Sequence, residues 1–221
     1  MTGRILACGG DGDFTDFLLG ISESEHPRVC FLPTACADEP ARIVRFYERL
    51  RGVRCDAYHV AVFGTPDAPA DRVSEADVVW VSGGNTANLL ALWRVHGIDG
   101  ALREVWSRGG VLAGSSAGAN CWFESCVTDS FGLQLRPLAD GLALLAGSFC
   151  PHYDGEELRR PAYARLVGEG VLAPGVACDE FAAVLYEGTE LVEVVSLRPG
   201  SRAYRVSPGS EEALDARLLR L

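Results

Sequence analysis

The chain carries two hydrophobic rhythms. Over its first two-thirds, short apolar runs alternate with stretches whose apolar residues recur at helical spacing. RILAC (4–8) and RVCFL (28–32) predict strands. In EPARIVRFYERLRG (39–52) apolar side chains lie three and four apart with Arg and Glu between them. That spacing predicts a helix, with Gly52 as its stop. CDAYHVAVF predicts another strand. ADVVWVS (76–82) is apolar almost throughout, as a strand covered on both faces must be. TANLLALWRVHG predicts a helix ending at Gly97, and GVLAG the strand after it. Such alternation implies parallel strands joined by helical crossovers.

The last third changes character. AAVLYEGTELVEVVSLRPGSRAYRVS has strand-like runs divided by EGTE and RPGS turns, with no room for helices. It predicts antiparallel hairpins at one edge of the sheet. No repeat, low-complexity linker or boundary interrupts the pattern. The expectation is one α/β domain over residues 1–221, with a mainly parallel, doubly wound sheet flanked by helices.

Composition narrows the function. A chain of 221 residues is long enough for one full core. Its formal net charge is −10, every base is Arg, and no basic run could follow a phosphate backbone, so nucleic acid is not an expected partner. Ile5-Leu6-Ala7 is too short for the apolar region of a secretory leader. No apolar run approaches the roughly 18 residues of a membrane helix, so a cytoplasmic protein without a membrane partner is expected. Cys8, Cys30, Cys121 and Cys178 sit in or beside apolar runs and read as small buried hydrophobes in a reducing compartment. The Cys121–Cys126 spacing is too wide for a redox pair, and no Cys/His pattern suits zinc. Neither a metal nor another cofactor is expected.

The chemistry concentrates in GGVLAGSSAGAN (109–120). Gly114-Ser115-Ser116-Ala117-Gly118 matches G-x-S-x-G at the end of a predicted parallel strand, where ligands of open α/β sheets bind. A sharp strand-to-helix turn forces its central residue into strained dihedrals and lifts the hydroxyl clear of the sheet. Small flanking residues let neighbouring backbone approach. A tight turn chosen only for packing would read the same way, but the strand before and the helix-compatible SAGANCWF after favour a nucleophile. Ser82-Gly83-Gly84-Asn85-Thr86 ends another buried strand. It suits a backbone N–H offered to developing negative charge, a helix N-cap at Asn85 or Thr86, or both. Among four histidines, His26 precedes a proline in a polar loop, His59 lies in a predicted strand, and His96 sits at a helix end. His152, in the loop CPHYDGE after an apolar segment, is best placed to reach a serine at another strand end.

Together these residues resemble the peptidase E family, serine peptidases on the class I glutamine amidotransferase-like fold. The resemblance spans most of the chain. It rests on GGNT (83–86), on the G-x-SAGAN turn (114–120) and on Pro151-His152-Tyr153, in that order. It implies Ser116 as nucleophile with Ser115 as its variable neighbour, and His152 as base. It further implies no metal, and hydrolysis of short peptides beginning with aspartate. Backbone N–H groups near Gly84 and Ala117 would hold the oxyanion. The third member falls on Glu180 in VACDEFAAV, with Asp129 of VTDSFG second and Asp179 adjacent. Asn85, Asp129, Arg159 and Arg160 are the implied substrate contacts, the arginines standing near the family's carboxylate-binding position. TDSFGLQLRPL and YDGEELRRPAY mark a distinct branch. A cyanophycinase-like hydrolase shares the serine turn but is generally larger, and GGNT argues against it. A binding module with a silent serine is the reading from another class. A glutamine amidotransferase would need cysteine where Ser116 stands. The expected partner is a small peptide, with a homodimer left open.

Overall fold

The computed structural model describes residues 2–10 and 12–220. Strand β1 (Arg4–Cys8) leads through helix α1 (Thr15–Gly20) to β2 (Arg28–Leu32). A 3₁₀ turn at Thr34–Cys36 and helix α2 (Pro40–Arg49) carry the chain to β3 (Asp56–His59). Helix α3 (Pro69–Ser74) returns it to β4 (Val78–Val81), and helices α4 (Thr86–His96) and α5 (Ile98–Ser107) to β5 (Val111–Ser115). These strands are all parallel, in the order β3-β2-β4-β5-β1. Helices α1 and α2 pack on one face through Phe14, Leu18, Phe46 and Leu50. Helices α3, α4 and α5 pack on the other through Val73, Trp93 and Leu102. The sheet is doubly wound, as the alternation predicts.

Local signals place the helix ends. Pro40 opens α2 with a preset φ where its missing N–H costs nothing. Phe46 of α2 stacks on Phe31 of β2 at 4.9 Å between ring centroids. Arg42, Arg45 and Arg49 stay exposed on the same helix. Asn85 caps α4 by accepting from Asn88 N–H at 2.8 Å, and Gly97 ends it in the left-handed region at φ 70°.

Beyond β5 the chain builds a second sheet. After α6 (Ala117–Asn120) come β6 (Phe123–Thr128), β7 (Arg136–Leu138) and β8 (Leu145–Cys150). Helix α7 (Arg159–Gly168) then leads to β9 (Gly175–Cys178). Strands β6, β8 and β9 are mutually parallel. Phe123, Phe149 and Val176 of this sheet join the core containing Val184 and Val194, while Tyr163, Leu166 and Val167 of α7 pack with Val127 and Ala177.

The C-terminal third departs from the expected single edge. The hairpin β10 (Ala182–Glu187) and β11 (Glu190–Ser196) does extend the large sheet, antiparallel to β1. The hairpin β12 (Ala203–Ser207) and β13 (Ser210–Leu214) instead edges the second sheet beside β9. The short β14 (Arg217–Leu218) returns to the large sheet. RPGS is therefore a crossover between sheets. A turn signal shows that the chain bends and leaves open which strand receives it.

All eight cysteines are free, and Cys8, Cys30, Cys121 and Cys178 are buried. Among the described residues no helix is long and apolar enough to cross a membrane.

Candidate active site

Ser116 is the single residue between β5 and α6. It is held at φ 56°, ψ −112°, a region hostile to any residue with a Cβ. Its N–H donates to Cys8 O at 3.2 Å, and its carbonyl accepts from Ala119 and Asn120 N–H at 2.9 Å each. The flanking glycines allow the turn. A Cβ on Gly114 would enter the backbone of Gly118, and one on Gly118 would lie 2.6 Å from Val81 O. The neighbouring hydroxyl is spent elsewhere, since Ser115 Oγ donates to Gly10 O at 2.7 Å.

The second sheet brings the base and an acid. His152 follows β8 and is also strained, at φ 54°, with its N–H donating to Gly9 O at 2.9 Å. Its Nε2 lies 2.8 Å from Ser116 Oγ, and its Nδ1 is hydrogen-bonded to Glu180 Oε1. Glu180 follows β9. Its backbone N–H donates to Asp154 Oδ1 at 2.7 Å, and the next residue, Phe181, has φ 61°. The serine, the histidine and the glutamate thus form one hydrogen-bonded chain across the carboxyl ends of two sheets. Ser116 and His152 line a cleft of about 340 Å³, together with Gly83, Gly84, Asp129, Glu156 and Arg159. A Cβ on Gly83 would be 3.3 Å from that of Ser116, so the GGNT turn abuts the serine.

The remaining expected residues divide. Arg159 is buried under the cleft, pairing with Glu156 at 2.7 Å, Val127 O at 3.3 Å and Asp129 at 3.7 Å. Asp129 lies on Arg159 and lines the cleft. Arg160 does not enter it. Its guanidinium is ion-paired with Glu211 and stacks over Tyr153 and Tyr204 at 5.2 and 5.0 Å. Consecutive helical residues point about 100° apart, so one arginine of the pair turns inward and the other away. Asn85 is likewise outside the cleft lining. While capping α4, its Nδ2 donates to Ser130 O at 3.0 Å, and Ala87 N–H donates to Ser130 Oγ at 3.2 Å. Asn85 is a brace for the loop that carries Asp129.

Asp179 faces away from His152. Its Oδ2 accepts from Arg202 N–H at 3.0 Å and Tyr204 Oη–H at 3.4 Å, and burial pushes its carboxyl up to about 6. His26 meets Asp56 and His59 meets Tyr47, both at other surfaces. Burial raises the thiols of Cys8, Cys121, Cys150 and Cys178, which leaves these cysteines inert as nucleophiles.

Sequence reasoning missed Gly10 and Gly155. A Cβ on Gly10 would fall on the Glu180 carboxylate and lie 2.6 Å from His152 Nδ1. One on Gly155 would be 2.7 Å from Glu180 Cγ. The signal was present, because Gly9-Gly10 closes β1 as Gly83-Gly84 follows β4.

With this geometry in hand, comparison with known proteins gives the class. The sequence model of peptidase family S51 matches residues 6–194. The uncharacterized peptidase YgaJ of Bacillus subtilis is 44% identical over 220 residues, covering 95% of this chain and 94% of the relative. Peptidase E of Streptomyces coelicolor is 35% identical over 129 residues, 57% of this chain and 51% of that protein. A crystal structure of a peptidase from an acI-B1 actinobacterium superposes with a TM-score of 0.75, at 20% identity, over 98% of this chain and 95% of that one. A peptidase E protein from Listeria monocytogenes gives 0.65 at 18% identity, over 90% and 100%. The chain belongs to peptidase family S51, the peptidase E family, and has the class I glutamine amidotransferase-like fold.

Proposed function

We propose that this peptidase is of the serine type and removes an N-terminal aspartate from dipeptides and other short peptides. The observation that carries the reading is the chain Ser116 Oγ, His152 Nε2 at 2.8 Å, and His152 Nδ1 on Glu180. A neutral imidazole donates from one nitrogen and accepts at the other. Glu180 accepts from Nδ1–H, which leaves Nε2 free to take the serine proton. Ser116 Oγ attacks the peptide carbonyl carbon as that proton moves to Nε2. The oxyanion faces the N–H groups of Gly84 and Ala117. The C–N bond then breaks, and the leaving amine takes the proton from His152. Water, deprotonated by His152 in turn, attacks the ester carbonyl, releases the acid and restores Ser116. No step draws on a metal or other cofactor.

Aspartate preference is supported by the resemblance and by Arg159. A buried guanidinium lining the same cleft as Ser116 suits a side-chain carboxylate, and Asp129 and Glu156 beside it suit the free α-ammonium. A substrate carboxylate would join the Glu156, Asp129 and Val127 O contacts that the guanidinium already makes, and a substrate without it forfeits that charge-assisted contact. The free cysteines fit action in the cytoplasm. The test is a competition among Asp-, Glu-, Asn- and Ala-initiated dipeptides. Asp should lead Asn and Ala by about two orders of magnitude, by analogy with sites built to pair a polar substrate group. Equal rates for all four would remove the aspartate claim.

A further inference from the structure

The cleft does not stop at Ser116. It continues down the face of the large sheet between α1 and α2, over Phe14, Phe31, Phe46, Leu50 and Trp80. Trp80 belongs to a central strand, β4, and yet is only partly buried, because the two helices leave a gap above it. Along one wall run Arg42, Arg45 and Arg49 of α2, all lining the same cleft. Helix α2 runs opposite to the strands, so Arg42 lies nearest the strand ends that carry Ser116. Arg45 and Arg49 follow at roughly 4.5 and 10.5 Å along the axis.

Their pairing differs in a useful way. Arg49 meets Asp13 across the groove at 3.3 Å. Among the described residues Arg42 ion-pairs with Glu39 of its own helix turn alone, at 3.6 Å. Arg45 has no ion pair among the described residues. Exposed arginines on a helix are commonly just solvated. Here three of them line one wall over an aromatic floor, in a protein of net charge −10, so this wall is cationic against the overall field.

We propose that this groove is the subsite for the residue released by cleavage, and that it selects an amino acid with a bulky apolar side chain and a free carboxylate. The proposal rests on the function given above and adds the identity of the leaving half. The apolar side chain lies on Trp80, Phe14 and Phe46, and the carboxylate pairs with Arg45, supported by Arg42. Both parts of the groove are then used, which an acidic leaving residue would not do, since its second carboxylate would lie on the aromatic floor. A carboxy-terminal amide or a glycine each forfeits one part.

Asp-Leu, Asp-Gly and Asp-Leu amide would be titrated calorimetrically into Ser116→Ala protein, and their kcat/KM measured on the active enzyme. Asp-Leu should bind about tenfold more tightly than either of the others, the size expected for one charge-assisted contact or one buried side chain. Arg45→Gln should collapse the Asp-Leu to Asp-Leu amide ratio towards one. Trp80→Ala should collapse the Asp-Leu to Asp-Gly ratio. Arg165→Gln, on the far α7 surface, should change neither ratio. Equal affinities for the three ligands, or none measurable, overturn the subsite, as do ratios that survive Arg45→Gln and Trp80→Ala. Absence of Ser116-dependent cleavage would instead break the function reading, and the binding comparison would still decide the groove.

Discussion

The two ends of the cleft are built in opposite ways. At the serine end, backbone fixes the positions of the side chains. Ser116, His152 and Phe181 all sit at positive φ, and three parallel strand ends hold them in place. Gly10 and Gly155 leave the space that the Glu180 side chain occupies beside His152. At the arginine end, the polar groups are long, exposed side chains on one helix. Strained backbone costs of order 1–3 kcal/mol per residue and persists only where the surroundings over-determine it. Flexible side chains cost nothing to place but give up rotamer freedom whenever they bind. The serine end should therefore be intolerant of small changes, and the arginine end should respond in modest steps of affinity.

Four predictions press on that contrast, in falling order of effect. Ser116→Ala should lower kcat by ~10⁴-fold or more with the fold kept, as removal of the nucleophile does in serine peptidases. Ser115→Ala should cost far less, since that hydroxyl only bonds Gly10 O. Near-normal turnover by Ser116→Ala would end the serine mechanism. Next, Glu180→Gln should cost about 10²- to 10⁴-fold in kcat, because the amide no longer fixes the tautomer or stabilises imidazolium. Asp129→Asn should act mainly on KM. The reverse pattern in steady-state kinetics would make Asp129 the acid.

Gly10→Ala sharpens the comparison further. The added methyl meets a side-chain carboxylate rather than fixed backbone, so Glu180 can yield and the fold survives while the His152 contact is lost. A fall of roughly 10²-fold in kcat with an unchanged unfolding midpoint is expected. Wild-type turnover would show that the serine end is looser than its packing implies.

The smallest effect concerns stability. Asp179 titrates near 6 in the folded chain, above its usual 3.8, chiefly because it is buried. The folded state thus holds this proton more tightly than the unfolded state. The carboxyl favours folding in acid, and that contribution is lost as pH rises between about 4 and about 6. Asp179→Asn removes the buried charge. The variant should gain on the parent in urea midpoint near pH 8, and the gain should shrink near pH 5. A pH-independent difference would contradict the shift.

Much of the geometry at the serine end was legible in the sequence because its requirements are local. A hydroxyl on a strand-to-helix turn needs small neighbours at fixed offsets, and Gly114 to Gly118 spell this out. The histidine was legible by its place after a strand and by resemblance. Arg160 misled because adjacency in sequence says little about direction on a helix. Asn85 was readable both as a cap and as a ligand, because both use the same amide, and the structure shows the cap. The groove on α2 escaped notice because Arg42, Arg45 and Arg49 look like any solvated face until Trp80 is seen uncovered beside them.

From sequence alone came the parallel alternation, the serine turn, the GGNT turn and the order of the motifs. These are set by hydrophobic period and by the steric needs of short turns, which act over a few residues. Only the tertiary structure decided that a second sheet exists, that β12 joins it, and that Glu180 rather than Asp179 or Asp129 meets His152. Strand partners and side-chain meetings across 28 or 36 residues of chain depend on which surfaces pack together, and no local pattern encodes that choice.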